Sequence, residues 1–290
     1  MLESPNAAEL LSMYTKKFWL SEAAEIKMME LPNAAELLKI YTSKWHPAIK
    51  AELRMLENPN VAELLKIYIL KWNLYVNNEI KLFELPNATE LLKIYLSKWK
   101  LTEIAQLKIF ELANVDELLK IYISDAWLCH EAQLKILERP NAAELLKIYT
   151  SQWGLSDEAE QKMFELPNAE ELVKIYISEH SFGDLAAIRI FDLPNAEKLV
   201  KEYITKWKLS HKGELKLFEL SEAGELVKMY ISKWELCDEA QLKLFAMPNA
   251  EDFVKFYISK WRLCKKARLK LMELPYATEL MKMYISKYSI

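Results

Sequence analysis

Apolar residues recur along this chain in two alternating stripes at helical spacing. Counting from Asn33, residues Ala34, Leu37, Leu38, Tyr41 and Trp45 follow one another at steps of three, one, three and four, while Lys39 and Ser43 fall on the opposite face. That pattern predicts an amphipathic helix. Asn33 stands three residues before Glu36 and directly after Pro32, a spacing that predicts an amide N-cap in a capping-box arrangement. A shorter second helix follows, entered through pairs such as Leu101-Thr102 or Leu155-Ser156, whose hydroxyl residue is placed to cap it. In one copy Ala105, Leu107, Ile109 and Phe110 are all apolar, too wide a stripe for a surface helix, and the expectation is that neighbouring segments clamp it.

The pair of stripes repeats. Tyrosines stand at Tyr14, Tyr41, Tyr68, Tyr95, Tyr122, Tyr149, Tyr176, Tyr203, Tyr230, Tyr257 and Tyr284, always 27 residues apart and with no insertion or deletion between them. A Pro-Asn pair opens most copies, as at Pro5, Pro59, Pro86 and Pro140. A period of 27 also lies within the leucine-rich-repeat range, which would make the Lys-Ile-Tyr-Ile-Ser stretch a strand. The L-x-L-x-x-N signature is absent, however, and the stretch continues a Glu-Leu-Leu-Lys helix, so the helical reading stands. The expected fold is all-α: eleven 27-residue two-helix repeats stacked as one domain over residues 1–290, in an α-solenoid with a right-handed superhelix.

In period and helix pattern the whole chain resembles the α-solenoid class of HEAT-like and tetratricopeptide-like arrays. It lacks the W-x2-L-G-x2-Y pattern of tetratricopeptide repeats, so the resemblance is to a class and to no one family. What it implies is an extended curved surface used for binding, about 100 Å along its contour if neighbouring helices are 8–10 Å apart.

Composition narrows the chemistry. Four glycines in 290 residues leave little room for phosphate loops, and 39 basic against 42 acidic side chains give a net charge of −3, with no bulk attraction to nucleic acid or membrane. No apolar run approaches the length of a membrane span, and Met1-Leu2-Glu3-Ser4-Pro5 does not read as a secretory signal. Cys129, Cys237 and Cys264 share one repeat position with Ser, Thr, Ala and Gly. They read as small-residue substitutions rather than a disulfide or zinc framework, and with their odd number suggest the cytoplasm. His46, His130, His180 and His211 are isolated, with no Ser-His-Asp or H-E-x-x-H constellation. No catalytic residue, metal or cofactor is expected.

Three periodic ladders could carry function or simply hold the stack together. The Tyr and Trp rows share the stripe of Leu37 and Leu38, which predicts core packing ahead of a platform for stacking bases. Lysines at Lys39, Lys66, Lys93 and onward each follow an acidic residue by three positions, Lys198 before Lys201 excepted, which predicts solvated pairs within a helix rather than a phosphate-tracking surface. Glu25, Glu52, Glu79, Gln106, Gln133, Glu160, Glu214 and Gln241 lie on the apolar side of the second helix. A buried carboxylate needs partners. It should find them in tyrosines or lysines of adjacent repeats, the other reading being a groove lined with acceptors.

The expected activity is that of a non-enzymatic scaffold for a protein partner. A nucleic-acid-binding array and a DNA-repair enzyme of HEAT-like architecture are the alternatives. Variation concentrates after the Trp position, as at His46, Asn73 and Lys100, and again at the start of the second helix. Three residues past the tyrosine most copies carry Lys, but three consecutive ones carry Asp125, Gln152 and Glu179. The Trp row breaks nearby, at Ala126 with Trp127 beside it and at His180. These five residues, Asp125, Trp127, Gln152, Glu179 and His180, are the candidate partner site. At the ends, Met1-Leu2-Glu3 matches the tail of a second helix, and Leu280, Met281, Tyr284 and Ile285 keep the core pattern with no repeat after them. That predicts head-to-tail self-association.

Overall fold

The computed structural model describes residues 1–288. Among them there is no strand: 21 α-helices follow one another, three of the second helices closing in a 3₁₀ turn at Leu82–Glu84, Ile109–Glu111 and Ile190–Asp192. The expected first helices are present, for example Ala34–Thr42, Val61–Tyr68 and Ala196–Lys206. So are the shorter second helices, for example Ile49–Leu56 and Asp157–Met163. The Lys-Ile-Tyr stretch is helical throughout, as the stripe requires.

The chain divides into two compact units, residues 1–135 and 136–290. Within each, first helices pack on first helices and second helices on second helices of the neighbouring copies. A second helix also packs on the first helix that follows it: Glu22–Met29 meets Ala34–Thr42 in the first unit, and Asp157–Met163 meets Ala169–Glu179 in the second. The clamp expected from the wide apolar stripe is thus supplied from two directions.

The Pro-Asn pair makes the turn between these two helices, and here the structure corrects the sequence. Asn33 has φ −99° and ψ 24°, and its side chain makes no cap hydrogen bond. Instead the Ala34 N–H reaches the Leu31 carbonyl at 3.0 Å. This is a type I turn with proline at its second position and asparagine at its third, where bridge-region backbone is the rule. An N-cap needs extended backbone to aim its side chain at the first turn, so one residue cannot serve both geometries. Asn249 alone departs, at φ 60°, a left-handed conformation that asparagine tolerates.

Caps do occur on the second helices. The Ser21, Ser156 and Ser210 hydroxyls accept from Ala24, Ala159 and Gly213 N–H, and Cys264 Sγ accepts from Ala267 N–H in the same position. Thr102 does not cap; its hydroxyl turns to Glu79. The core of each unit is built of Leu, Ala and Tyr side chains, with Leu37 and Leu38 fully buried in the first and Leu145 and Leu146 in the second. Tyrosines from Tyr41 to Tyr284 at the repeat spacing are buried too, and only Tyr14 is exposed. Leu280 and Tyr284, expected to lie uncovered, are buried as well, because helix Ala277–Tyr288 turns that face back onto Ala250–Ile258 and Lys265–Met272; Ile285 is exposed.

Candidate functional site

The buried polar ladder is the most regular polar feature of both units, and it is a fastening device. Glu25 accepts the Tyr41 hydroxyl proton at 2.5 Å on one oxygen and the Ala48 N–H at 2.7 Å on the other. Glu160 does the same with Tyr176 at 2.8 Å and Gly183 N–H at 2.9 Å, and Glu214 with Tyr230 and Cys237 N–H at 2.8 and 2.5 Å. In these copies one carboxylate therefore holds the tyrosine of the next first helix and the residue that starts the next second helix. Tyr41 and Tyr176 hydroxyls also accept backbone N–H groups, of Leu20 and Leu155.

Burial pushes the Glu79 and Glu160 carboxyls above the ordinary range despite these donors. In Glu52 it lifts the value to about 7. Burial first, and the facing carboxylate second, hold the Tyr176 and Tyr230 hydroxyls protonated well above the usual phenol value. Tyr203, whose ladder partner position is Ala187, is pushed up to about 12, chiefly by burial.

Glutamine in the ladder works differently. Gln106 Oε1 still accepts the Cys129 N–H at 2.6 Å, and Gln241 Oε1 the Cys264 N–H at 2.7 Å. The amide nitrogen donates within its own copy, to the Leu101 and Leu236 carbonyls. At Gln241 this leaves the buried Tyr257 hydroxyl without an acceptor for its proton. The cysteines are free thiols, and burial pushes the Cys237 thiol up to about 11.

The tryptophans fasten the other side. Trp45 Nε1 donates to the Thr15 carbonyl at 3.0 Å, Trp72 to Thr42 at 3.0 Å and Trp207 to Ile177 at 2.8 Å, each reaching the C-terminal end of the preceding first helix. Carbonyls there lack partners within the helix. Lys206 Nζ and Lys233 Nζ also donate to such carbonyls, of Ser178 at 2.6 Å and Thr205 at 2.5 Å. Repeated surface lysines pair across copies: Lys93 meets Glu117 at 2.6 Å rather than Glu90 three positions earlier, and Lys201, which has Lys198 in that place, meets Glu225, both partners lying 24 residues on. For Lys93 the charge cancellation expected of this row comes through a different partner.

Asp125 and Trp127 are exposed in the first unit, Trp127 at 48%, while Ala126 takes the buried place between them. In the second unit Gln152 and Glu179 are exposed, and His180 is half-buried. His180 replaces tryptophan in function as well as position. Its Nε2 lies 2.7 Å from the Thr150 carbonyl and its ring stacks on Tyr176 at a 5.4 Å centroid distance. The break in the Trp row at His180 is therefore filled.

A feature the sequence reading passed over is a groove of about 920 Å³ between helices Ala223–Lys233 and Ala250–Ile258. Phe218, Gly224, Met247, Asn249 and Phe253 line it, with Lys228 Nζ 5.0 Å from the Phe253 ring centroid. Its signal was present: Leu220-Ser221-Glu222 lacks the usual Pro-Asn, Gly224 stands where other copies carry a side chain, and Phe253 replaces leucine.

Among the described residues no helix is long and apolar enough to cross a membrane, and no group of His, Cys, Asp and Glu is placed to hold a metal. Neither a protein-family model nor a curated protein matches the chain.

Proposed function

We propose that the chain is a non-enzymatic scaffold of the cytoplasm, an α-solenoid of eleven 27-residue repeats with a right-handed superhelix, that binds a protein partner along its exposed surface. The observation that carries this reading is the placement of Asp125 and Glu179. Both stand at the C-terminal end of a first helix, Val115–Ile123 and Ala169–Glu179, where a carboxylate opposes the helix dipole and where most copies carry lysine. At Glu179 the carboxylate is met by the neighbouring Ser178 hydroxyl at 3.3 Å and not by a cation, and a local rule broken in this way on an exposed surface is a mark of selection for something outside the fold. Trp127, half-exposed beside Asp125, supplies the aromatic anchor that protein interfaces favour.

The buried polar groups support the same reading, since the tyrosine hydroxyls and ladder carboxylates hold neighbouring helices together. The lysine row gives little support to nucleic-acid binding, because Lys93 and Lys201 are paired with glutamates. The test is affinity capture with the full chain against an Asp125→Lys, Glu179→Lys variant. Partners retained by the wild type and lost by the variant support the proposal. Identical capture by both, or DNA retention that falls steeply with salt, overturns it.

A further inference from the structure

One repeat of the first unit carries a chain of hydrogen bonds that no other copy can build. Glu52 is fully buried, and accepts the Tyr68 hydroxyl at 2.5 Å and the Tyr75 N–H at 2.9 Å. In two other copies the tyrosine hydroxyl also accepts a backbone N–H 21 residues back, Tyr41 from Leu20 and Tyr176 from Leu155. For Tyr68 that residue is Pro47, which has no N–H. The His46 side chain takes its place, with Nε2 2.8 Å from the Tyr68 hydroxyl, and Nδ1 lies 2.9 Å from the hydroxyl of half-exposed Tyr75. Histidine and tyrosine occur at these two repeat positions only here. The corresponding Gly154 of the second unit shows the same geometry without the side chain: an added Cβ there would stand 3.6 Å from the Tyr176 hydroxyl.

The donors and acceptors fix the direction of this chain. The Tyr68 proton goes to the Glu52 carboxylate, so Nε2 must carry the imidazole proton and donate it to the Tyr68 oxygen. Nδ1 is then an acceptor, and the Tyr75 hydroxyl donates to it. Every hydrogen bond points inward, toward Glu52.

We propose that Tyr75, His46 and Tyr68 form a proton relay through which the buried Glu52 carboxylate exchanges a proton with solvent, a pH-sensitive switch inside the first unit. A proton from solvent binds the Tyr75 oxygen; the original Tyr75 proton moves to Nδ1, the Nε2 proton to the Tyr68 oxygen, and the Tyr68 proton to Glu52. The balance is one proton gained and one carboxylate neutralised. Both tyrosines end neutral, and the imidazole ends neutral as the Nδ1–H tautomer. Every hydrogen bond of the chain now points outward.

The surroundings suit this exchange. Burial raises the Glu52 carboxyl and lowers the His46 imidazole, so the carboxylate rather than the ring takes the proton as pH falls. The other titratable groups near Glu52 belong to the ladder. Glu25, on the preceding second helix, is bonded to Tyr41 and Ala48, and Glu79, on the following one, to Thr102. Tyr95 faces Glu79, the Asn78 amide lies beside Glu52 and donates to the Ile49 carbonyl at 2.9 Å, and the Asn73 backbone faces the imidazole. Lys50 and Arg54 of its own helix are exposed and paired with Glu22 and with Glu30 and Glu57.

Infrared spectroscopy of the full chain after a pH jump, reading the carbonyl stretch of protonated carboxyl groups, tests the proposal. The wild type should show a carboxyl titrating near pH 7. Glu52→Gln should lose that component, and it should fold, since Gln106 and Gln241 occupy the same ladder position. Tyr75→Phe and His46→Phe should keep a titrating carboxyl but protonate it at least about tenfold more slowly, the equivalent of about 1.4 kcal/mol of barrier. A wild type without the component, or a wild-type rate in either relay variant, overturns the relay.

Discussion

Tyr230 donates its hydroxyl proton to the Glu214 carboxylate at 2.8 Å, sixteen residues back and across the step from one copy to the next. Both groups are fully buried, so the bond is charge-assisted and shielded from water. Tyr257 occupies the same place one copy later, but its counterpart is Gln241, and its hydroxyl has no acceptor. The two tyrosines form a matched pair for measuring the ladder. Tyr230→Phe should cost about 1.5–3 kcal/mol, the worth of a hydrogen bond to a charged group. Tyr257→Phe should leave stability unchanged or raise it, since it removes a buried hydroxyl whose proton has no acceptor. Urea denaturation followed by circular dichroism checks both, and equal losses would mean that the ring, not the hydroxyl, carries the contribution.

Glu52 makes stability depend on pH in a direction opposite to that of most acidic residues. Its folded-state value, about 7, lies above the 4.5 of an ordinary glutamate, because burial outweighs the donors around it. The folded state therefore holds this proton more tightly than the unfolded one. The stabilisation is complete below about pH 4.5 and is lost as pH rises through about 7. His46 works the other way, its value being lowered, and it is common to the wild type and to Glu52→Gln. The difference in unfolding free energy between these two proteins isolates the carboxylate. It should favour the wild type increasingly as pH falls from 7.5 toward 4.5, by roughly a factor of ten in the folding equilibrium for each unit of raised value. A difference independent of pH over that interval would show that Glu52 titrates normally.

The sequence carried the helices and the core phase because both follow from one periodic stripe: Tyr41 shares its face with Leu37 and Leu38, and all three are buried. It also marked Glu25 as a buried carboxylate in need of partners. What it could not carry was anything set by how one copy sits on the next. The Ala48 N–H that meets Glu25 lies 23 residues on, and Glu117 meets Lys93 over 24. Such separations become neighbours only once the stacking offset is known, whereas a spacing of three within one helix can be counted on the page. Asn33 was misread for another reason, since Pro-Asn suits a type I turn as well as it suits the approach to a cap. Of the candidate partner site, the irregularity was legible at all five positions, but Thr150 as the partner of His180 was not.

That partner makes His180 testable as a tryptophan substitute. The Thr150 carbonyl can only accept, so His180 must carry its proton on Nε2, in the role of the Trp207 indole N–H toward Ile177. His180→Leu should lose about 1 kcal/mol by leaving a helix-end carbonyl unbonded. His180→Trp restores the residue of the other copies and should match the wild type or exceed it. Thermal or urea unfolding of the two variants separates the outcomes, and a tryptophan variant as weak as the leucine one would show that the histidine ring has some other part in the packing.

Glu179 places stability and binding in opposition. It ends helix Ala169–Glu179 on the surface, next to Ser178, whose carbonyl accepts the ammonium of Lys206. The negative end of the helix dipole and a negative side chain coincide there, a repulsion that most copies avoid by carrying lysine at this place. Glu179→Lys should therefore leave the urea midpoint unchanged or slightly raised. If the carboxylate is kept for a partner, the same variant should bind that partner at least about tenfold more weakly, chiefly through a slower association that recovers in part at high salt. Asp125→Lys should behave alike in the first unit. The measurement is unfolding and partner binding on the same preparations. A variant that loses stability would mean the carboxylate serves the fold, and one that keeps full affinity would place the partner elsewhere on the chain.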